Sequence, residues 1–321
     1  MEEAIKNFGK QFDYIPEVVN KENLSTMKHI ILLGMGGSHL AGDIAKNLNQ
    51  TMDIWIHRDY GLPEVSDEFL KNSLIIASSY SGNTEEVIDG LETALKAGLK
   101  CAVMTVGGKL LEMAKEQNLP YIALPDTGIQ PRLALGYSLV ALAHLLNFEK
   151  LLKEIEAIKG KLNPEEHIEE GTRLASSIKG LVPVVYTSRR NFAVAYNWKI
   201  KLNETGKTPA FFNVFPEINH NEMTGFDLNE KTKDLGLQFV AIILSDTTDH
   251  PQIQKRMKIV KKLYEDRSIK VINIPLTGET SGEKIFNSLL LADWTAYHIA
   301  TLNGAETEQV PMVEEFKRLI T

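Results

Sequence analysis

Cysteine is nearly missing from this chain: 321 residues include a single one, Cys101. One thiol excludes an internal disulfide, and its place within an apolar strand pattern points to a small buried side chain rather than a nucleophile. Long hydrophobic runs are missing too. The longest, Leu133 to Leu146, is interrupted by Gly136 and His144, which is not the pattern of a membrane span. The first residues, Met1-Glu-Glu-Ala-Ile-Lys, are charged from the start and carry no apolar signal core, so a soluble cytoplasmic protein is expected. Basic charge is scarce and scattered. A formal net charge of −7 without a cationic stripe argues against nucleic acid as a partner.

What remains is a chain with 43% hydrophobic residues and ordinary charge content, long enough for one large core or two modest ones. Short apolar strands alternate with amphipathic helices. The first round has strands expected at His29–Leu33, Asp53–His57, Ser73–Ser78, Lys100–Val106 and Tyr121–Leu124. A second round has them at Val182–Tyr186, Gln238–Leu244 and Lys270–Ile274. This alternation predicts α/β architecture, parallel sheets flanked by helices in three layers, present twice. Residues 1–150 and 181–321 are the two expected domains, and the charged, helix-prone 151–180 is read as a helical linker.

The most informative segment is Ile76-Ala-Ser-Ser-Tyr-Ser-Gly-Asn-Thr-Glu-Glu86. A strand runs into hydroxyls and a glycine and then opens a helix, whose first N–H groups and partial positive charge suit an anion. Ser79, Ser81 and Thr84 add donors, and Gly82 allows close backbone approach. The same residues also suit plain helix capping, the alternative for any one of them. A second donor-rich turn, Gly34-Met-Gly-Gly-Ser-His39, follows the first strand. On a parallel sheet it would lie beside the serine turn, so that both could clasp one phosphate. It is not a dinucleotide motif: where the third glycine of G-x-G-x-x-G would fall stands His39, despite an acidic residue at Asp59.

The second round has its own strand-to-helix turn, Leu244-Ser-Asp-Thr-Thr-Asp249. It lacks the glycine and carries Asp246 and Asp249, carboxylates that would repel a phosphate. Three further segments hold titratable groups: Gln130-Pro-Arg-Leu-Ala-Leu-Gly136, Leu202-Asn-Glu-Thr-Gly-Lys-Thr-Pro-Ala210 and Phe215-Pro-Glu-Ile-Asn-His-Asn-Glu-Met-Thr-Gly-Phe226. Arg132 is expected to open the long apolar helix and Glu204 to close the helix Phe192–Asn203. Both are the wrong ends for their charges on dipole grounds. His220 sits between two asparagines, near Glu217 and Glu222.

The ordered set GMGGS, SSYSGNTEE, QPRLALGYSL, LNETGKTPA and EINHNEMTGF resembles the bifunctional phosphoglucose/phosphomannose isomerase family, built from two sugar isomerase (SIS) subdomains. The resemblance spans nearly the whole chain. It implies that Gly36, Gly37, Ser38, Ser79, Ser81 and Thr84 hold a hexose 6-phosphate and that Glu204 moves the proton of an aldose–ketose isomerisation through an enediolate. Arg132 would stabilise the enediolate, and His220 with Lys317 would open the sugar ring. It further implies a homodimer with His220 supplied across the subunit interface, and no metal or other cofactor. One segment departs from the family: an Asp-Pro-Thr turn usually precedes the last helix, whereas this chain reads Gly304-Ala-Glu-Thr-Glu-Gln-Val-Pro311, with Thr307 the nearest match. Other readings of the residues are a phosphosugar-binding regulator without catalysis, an aminosugar phosphate isomerase, and a metal-dependent isomerase using Glu217, His220, Glu222 and His250, whose irregular spacing fits no defined metal motif.

Overall fold

The computed structural model describes residues 1–320. The chain divides into two compact units, Asn7–Lys161 and a second made of Met1–Lys6 with the residues from Leu162 onward. Helix α1 (Glu2–Lys6), although first in the chain, therefore belongs to the later unit, with Ile5 fully buried and Tyr297 donating to Glu2.

The N-terminal unit runs β1 (His29–Leu33), α2 (Leu40–Leu48), β2 (Ile54–His57), α3 (Asp67–Lys71), β3 (Ser73–Ser78), α4 (Glu85–Lys96), β4 (Lys100–Thr105), α5 (Gly108–Glu116), β5 (Tyr121–Ala123), α6 (Leu135–Leu146) and α7 (Glu149–Ile158). Its five strands are parallel in the order β2-β1-β3-β4-β5. Strand β3 lies at the centre and is buried at every position, as expected of an apolar run covered on both faces. Ile31, Leu33, Ile75 and Ala77 point to one face and meet Val87 and Leu91 of α4 and Leu110 of α5. On the other face α2 approaches so closely that a Cβ on Gly42 would stand 2.5 Å from Ile56. Burial of each large aliphatic side chain here stabilises by roughly 1.5–3 kcal/mol relative to exposure. Cys101 belongs to this core, and burial pushes its thiol pKa up to about 12, which removes it as a nucleophile.

The C-terminal unit follows with α8 (Ile168–Ile178), β6 (Val182–Ser188), α9 (Phe192–Glu204), β7 (Phe211–Phe215), α10 (Lys233–Gly236), β8 (Phe239–Ser245), α11 (Pro251–Glu265), β9 (Lys270–Pro275), α12 (Ser281–Leu302) and α13 (Pro311–Ile320). Its four strands are again parallel, in the order β7-β6-β8-β9. The two orders superpose with β6 in the role of β1, β7 of β2, β8 of β3 and β9 of β4, so one topology occurs twice. Strand β7 has no counterpart among the expected strands. It is an edge strand, exposed at Phe211 and buried only at its last two positions, and so lacks the continuous apolar run that marks its neighbours.

Residues 151–180 are shared between the units: α7 closes the first, and α8 packs on α12 in the second, where Gly171 lets Trp294 approach to a distance no Cβ would allow. Helix α12 is also tied to α9 by Trp198 Nε1 donating to Ser288 Oγ at 2.9 Å and by the buried ion pair Lys201–Asp293 at 2.6 Å. Among the described residues no helix is long and apolar enough to cross a membrane.

Candidate active site

In the N-terminal unit three turns meet at the carboxyl ends of the strands. The turn after β1 and the turn after β3 interlock: Ser78 Oγ donates to the Ser38 carbonyl at 2.8 Å, and the Tyr80 N–H donates to Ser38 Oγ at 2.9 Å. The Ser38 hydroxyl oxygen is thus an acceptor in this junction. Ser79 and Thr84 share a hydrogen bond of 2.7 Å between their hydroxyls, an arrangement that engages one of their two protons. Thr84 is the N-cap residue of α4 but makes no side-chain cap bond, so its hydroxyl serves the turn instead. Ser81 is exposed.

The glycines of these turns have separate reasons. Gly36 has φ +52° and open space where a Cβ would be, whereas a Cβ on Gly37 would stand 2.9 Å from the Arg132 backbone nitrogen. Gly37 thus admits the third turn, Pro131–Leu133. Gly82 was expected to leave room for a ligand; its φ is +73° and a Cβ there would lie 1.7 Å from the Gly107 carbonyl oxygen. Its bareness is required by the neighbouring β4–α5 turn, which is locked to it by Leu110 N–H donating to the Gly82 carbonyl at 3.0 Å.

Arg132 does not open the apolar helix. It lies in a short 3₁₀ turn before α6, with Pro131 at the first position, and is 1% exposed. The turn is held by a residue that sequence reasoning passed over, Gln11. Its Nε2 donates to the Leu133 carbonyl at 2.7 Å, and its Oε1 accepts from the Gly136 N–H at 2.9 Å. Gln11 is itself 3% exposed. Nothing within its own segment signals this, because the partners are more than 120 residues away in the chain. His39, in the place of a third glycine, is fully buried and bonded through Nδ1 to Asp43 at 2.7 Å.

The remaining expected residues lie in the C-terminal unit. Glu204 is the last residue of α9, half-buried. The helix end is closed by Thr205 and Gly206 N–H groups donating to the Lys201 carbonyl, and Lys207, in left-handed backbone at φ +50°, donates through Nζ to the Glu204 carbonyl at 2.5 Å. A cation at this end offsets the unfavourable placement of the carboxylate against the helix dipole. Glu204 lines a groove of about 670 Å³ together with Lys199, Lys207, Phe211, Val310 and Met312. Lys317, on the exposed helix α13, borders a different concavity with Gln309, Pro311 and Arg318 and pairs with Glu314 at 2.9 Å. His220 stands exposed just after the 3₁₀ turn Glu217–Asn219 that follows β7.

Of the four donors named for a metal, Glu217, Glu222 and His250 are engaged separately. Glu222 accepts from Tyr186 and Asn213, Glu217 accepts from Asn221, and His250 Nδ1 accepts from the Gln252 N–H at the start of α11. Among the described residues no three His, Cys, Asp or Glu side chains are grouped to hold a metal ion.

Comparison with known proteins gives this geometry its relatives. Residues 168–320 match the family described as the bacterial phospho-glucose isomerase C-terminal SIS domain. Over 98% of the chain, it is 33% identical to the bifunctional phosphoglucose/phosphomannose isomerase of Aquifex aeolicus, covering 96% of that protein. It is also 32% identical over 70% of its length to the D-glucosamine-6-phosphate 4-epimerase of Sulfolobus acidocaldarius, covering 72% of it. Among solved structures, glucosamine-6-phosphate deaminase of Thermotoga maritima shares the fold with a TM-score of 0.66 at 16% identity, over 97% of each chain.

Proposed function

We propose, because this chain belongs to the bifunctional phosphoglucose/phosphomannose isomerase family, that it interconverts fructose 6-phosphate with glucose 6-phosphate and mannose 6-phosphate, without a metal. Gly36, Gly37, Ser38, Ser79, Ser81 and Thr84 hold the 6-phosphate through backbone and hydroxyl donors, strengthened by the N-terminus of α4. Glu204 removes a proton from the carbon beside the carbonyl and returns it to the neighbouring carbon. In the aldose-to-ketose direction C2 is oxidised and C1 reduced, so the redox change is internal and needs no external hydride carrier. The intermediate is a cis-enediolate, whose negative charge Arg132 offsets. Protonation of either face at C2 then gives either epimer. Hexose phosphates are closed rings at rest, and His220 of the partner subunit with Lys317 supplies the acid and base that open them. The active species is accordingly a homodimer.

The observation that carries this reading is the packing of Arg132 against the Gly36–Ser38 turn. Arg132 is 1% exposed, and its backbone nitrogen lies 2.9 Å from where a Cβ on Gly37 would stand; a buried arginine carried on a turn that abuts the proposed phosphate loop suits charge that develops during reaction, which a sensor of phosphosugars does not need. The test is proton NMR of fructose 6-phosphate in deuterated buffer with a chelator. Both aldose phosphates, labelled with deuterium at C2, are the expected products; binding without turnover leaves a phosphosugar sensor, and turnover abolished by the chelator and restored by a divalent ion would refute the metal-free mechanism. The epimerase relative favours one alternative, an aminosugar phosphate substrate. Glucosamine 6-phosphate in the same assay decides it.

A further inference from the structure

We propose that Glu222 is a positioning residue for His220, presenting that imidazole from a rigid loop through Tyr186 and Asn213. The proposal rests on the ring-opening role assigned to His220 above. Tyr186 on β6 and Asn213 on β7 are register partners on adjacent parallel strands. Their side chains converge on one carboxylate: Tyr186 Oη donates to Glu222 Oε1 at 2.6 Å, and Asn213 Nδ2 donates to Oε2. The sheet thus offers a two-pronged donor, and Glu222 bridges it. On the other side of His220, Asn219 Oδ1 accepts from Arg256 of α11 at 3.1 Å, while the His220 N–H donates to the Glu217 carbonyl at 3.0 Å. The residues one before and two after the histidine are therefore fastened to helix and sheet, and Met223 and Phe226 pack against the core. Between these two anchors His220 and Asn221 are exposed.

A carboxylate held by two neutral donors is a poor device for stability, since partial desolvation offsets what the hydrogen bonds contribute. It is a good device for orientation. Tyr186 is fully buried, and burial, reinforced by Tyr264 and by the Glu222 charge, holds its hydroxyl protonated far above the usual range. It remains a donor at every working pH.

The experiment compares two substrates in Glu222→Gln and Tyr186→Phe proteins. Fructose 6-phosphate must be ring-opened; 5-deoxyfructose 6-phosphate lacks the hydroxyl that closes the furanose and needs no opening. Glu222→Gln should lower kcat on fructose 6-phosphate about tenfold with KM little changed, and leave the open-chain substrate within about twofold. Tyr186→Phe should show the same selectivity to a smaller extent. In a His220→Ala background, Glu222→Gln should add nothing. Equal losses on both substrates, or a further loss on top of His220→Ala, would assign Glu222 to the fold alone and overturn the proposal, as would wild-type turnover in Glu222→Gln when His220→Ala is impaired. If His220→Ala itself opened rings at the wild-type rate, the role given to His220 would fall and the proposal with it, while isomerisation by the unaltered protein would still stand on its own assay.

Discussion

The turn after β3 and the turn after β8 occupy the same place in a duplicated topology, yet one presents hydroxyls and the other is filled by the chain's own carboxylates. After β3 the side chains are hydroxyls, with Ser81 exposed and Thr84 half-buried. After β8 the equivalent space holds Asp246 and Asp249, 4% and 5% exposed. Asp249 Oδ1 accepts from Ser188 Oγ at 2.7 Å, and Asp246 Oδ1 accepts from the Thr248 N–H at 3.0 Å and from Lys284 Nζ at 2.8 Å. Donors at this end of the parallel sheet meet internal carboxylates in the second unit, where the first has hydroxyls. The fold provides the donors, and side-chain identity decides whether a ligand or the protein uses them.

The difference also appears in the acid–base behaviour of the filled turn. Burial raises Asp249, aided by the charge of Asp246 and opposed by the Ser188 hydrogen bond. Burial acts the same way on Asp246, but Lys284 and Thr248 outweigh it and hold that carboxyl below its ordinary value. Two acids three residues apart are thus driven in opposite directions.

The largest effect should come from Glu204. If the first unit binds phosphate and the second supplies the proton shuttle, Glu204→Gln should lower kcat by about 10²–10⁴ while calorimetry finds substrate affinity nearly intact. A parallel loss of affinity would dissolve that division of labour. Next is Gly82→Ala, which forces a side chain into positive φ and onto the Gly107 carbonyl; a loss of about 2–4 kcal/mol in urea unfolding is expected. A sharper probe of the two turns pairs Ser81→Ala with Thr247→Ala, both at exposed positions. Removing one donor to a charged phosphate should raise KM about tenfold in the first, and the second should leave KM unchanged. The smallest effect is a matter of pH. A carboxyl whose folded pKa is raised contributes stability below its unfolded value and loses it as pH rises through the folded value. Asp249→Asn should therefore raise the melting temperature at neutral pH, and the gain should fade below the ordinary carboxylate range. Asp246→Asn should do the opposite, costing stability at neutral pH, because that contribution is lost only in acid.

Much of this was legible in residue order. Strands β1 and β3 fall where their apolar runs begin and end, and the carboxylates after β8 declared an asymmetry between the halves. Strand β7 was not legible, because an edge strand with one buried end has no distinctive periodicity. The start of α6 was displaced by three residues from Arg132, although Pro131 marks the short turn that intervenes. Gln11 carried no signal at all, and Gly82 carried one with two meanings, ligand approach or packing, which only its distance to Gly107 separates.

The sequence by itself determined the alternation of strands and helices, the duplication, the donor-rich turns and the family, because each of these is written in neighbouring residues: period, turn chemistry and motif order are local properties of the chain. The tertiary structure decided that Arg132 is buried with its turn against Gly37, that Gln11 braces that turn, that Asp246 and Asp249 fill the turn after β8, and that Tyr186 and Asn213 share Glu222. Each of these joins residues distant in the chain, and such partners are selected by the close packing of whole elements, in which a fraction of an ångström separates contact from clash.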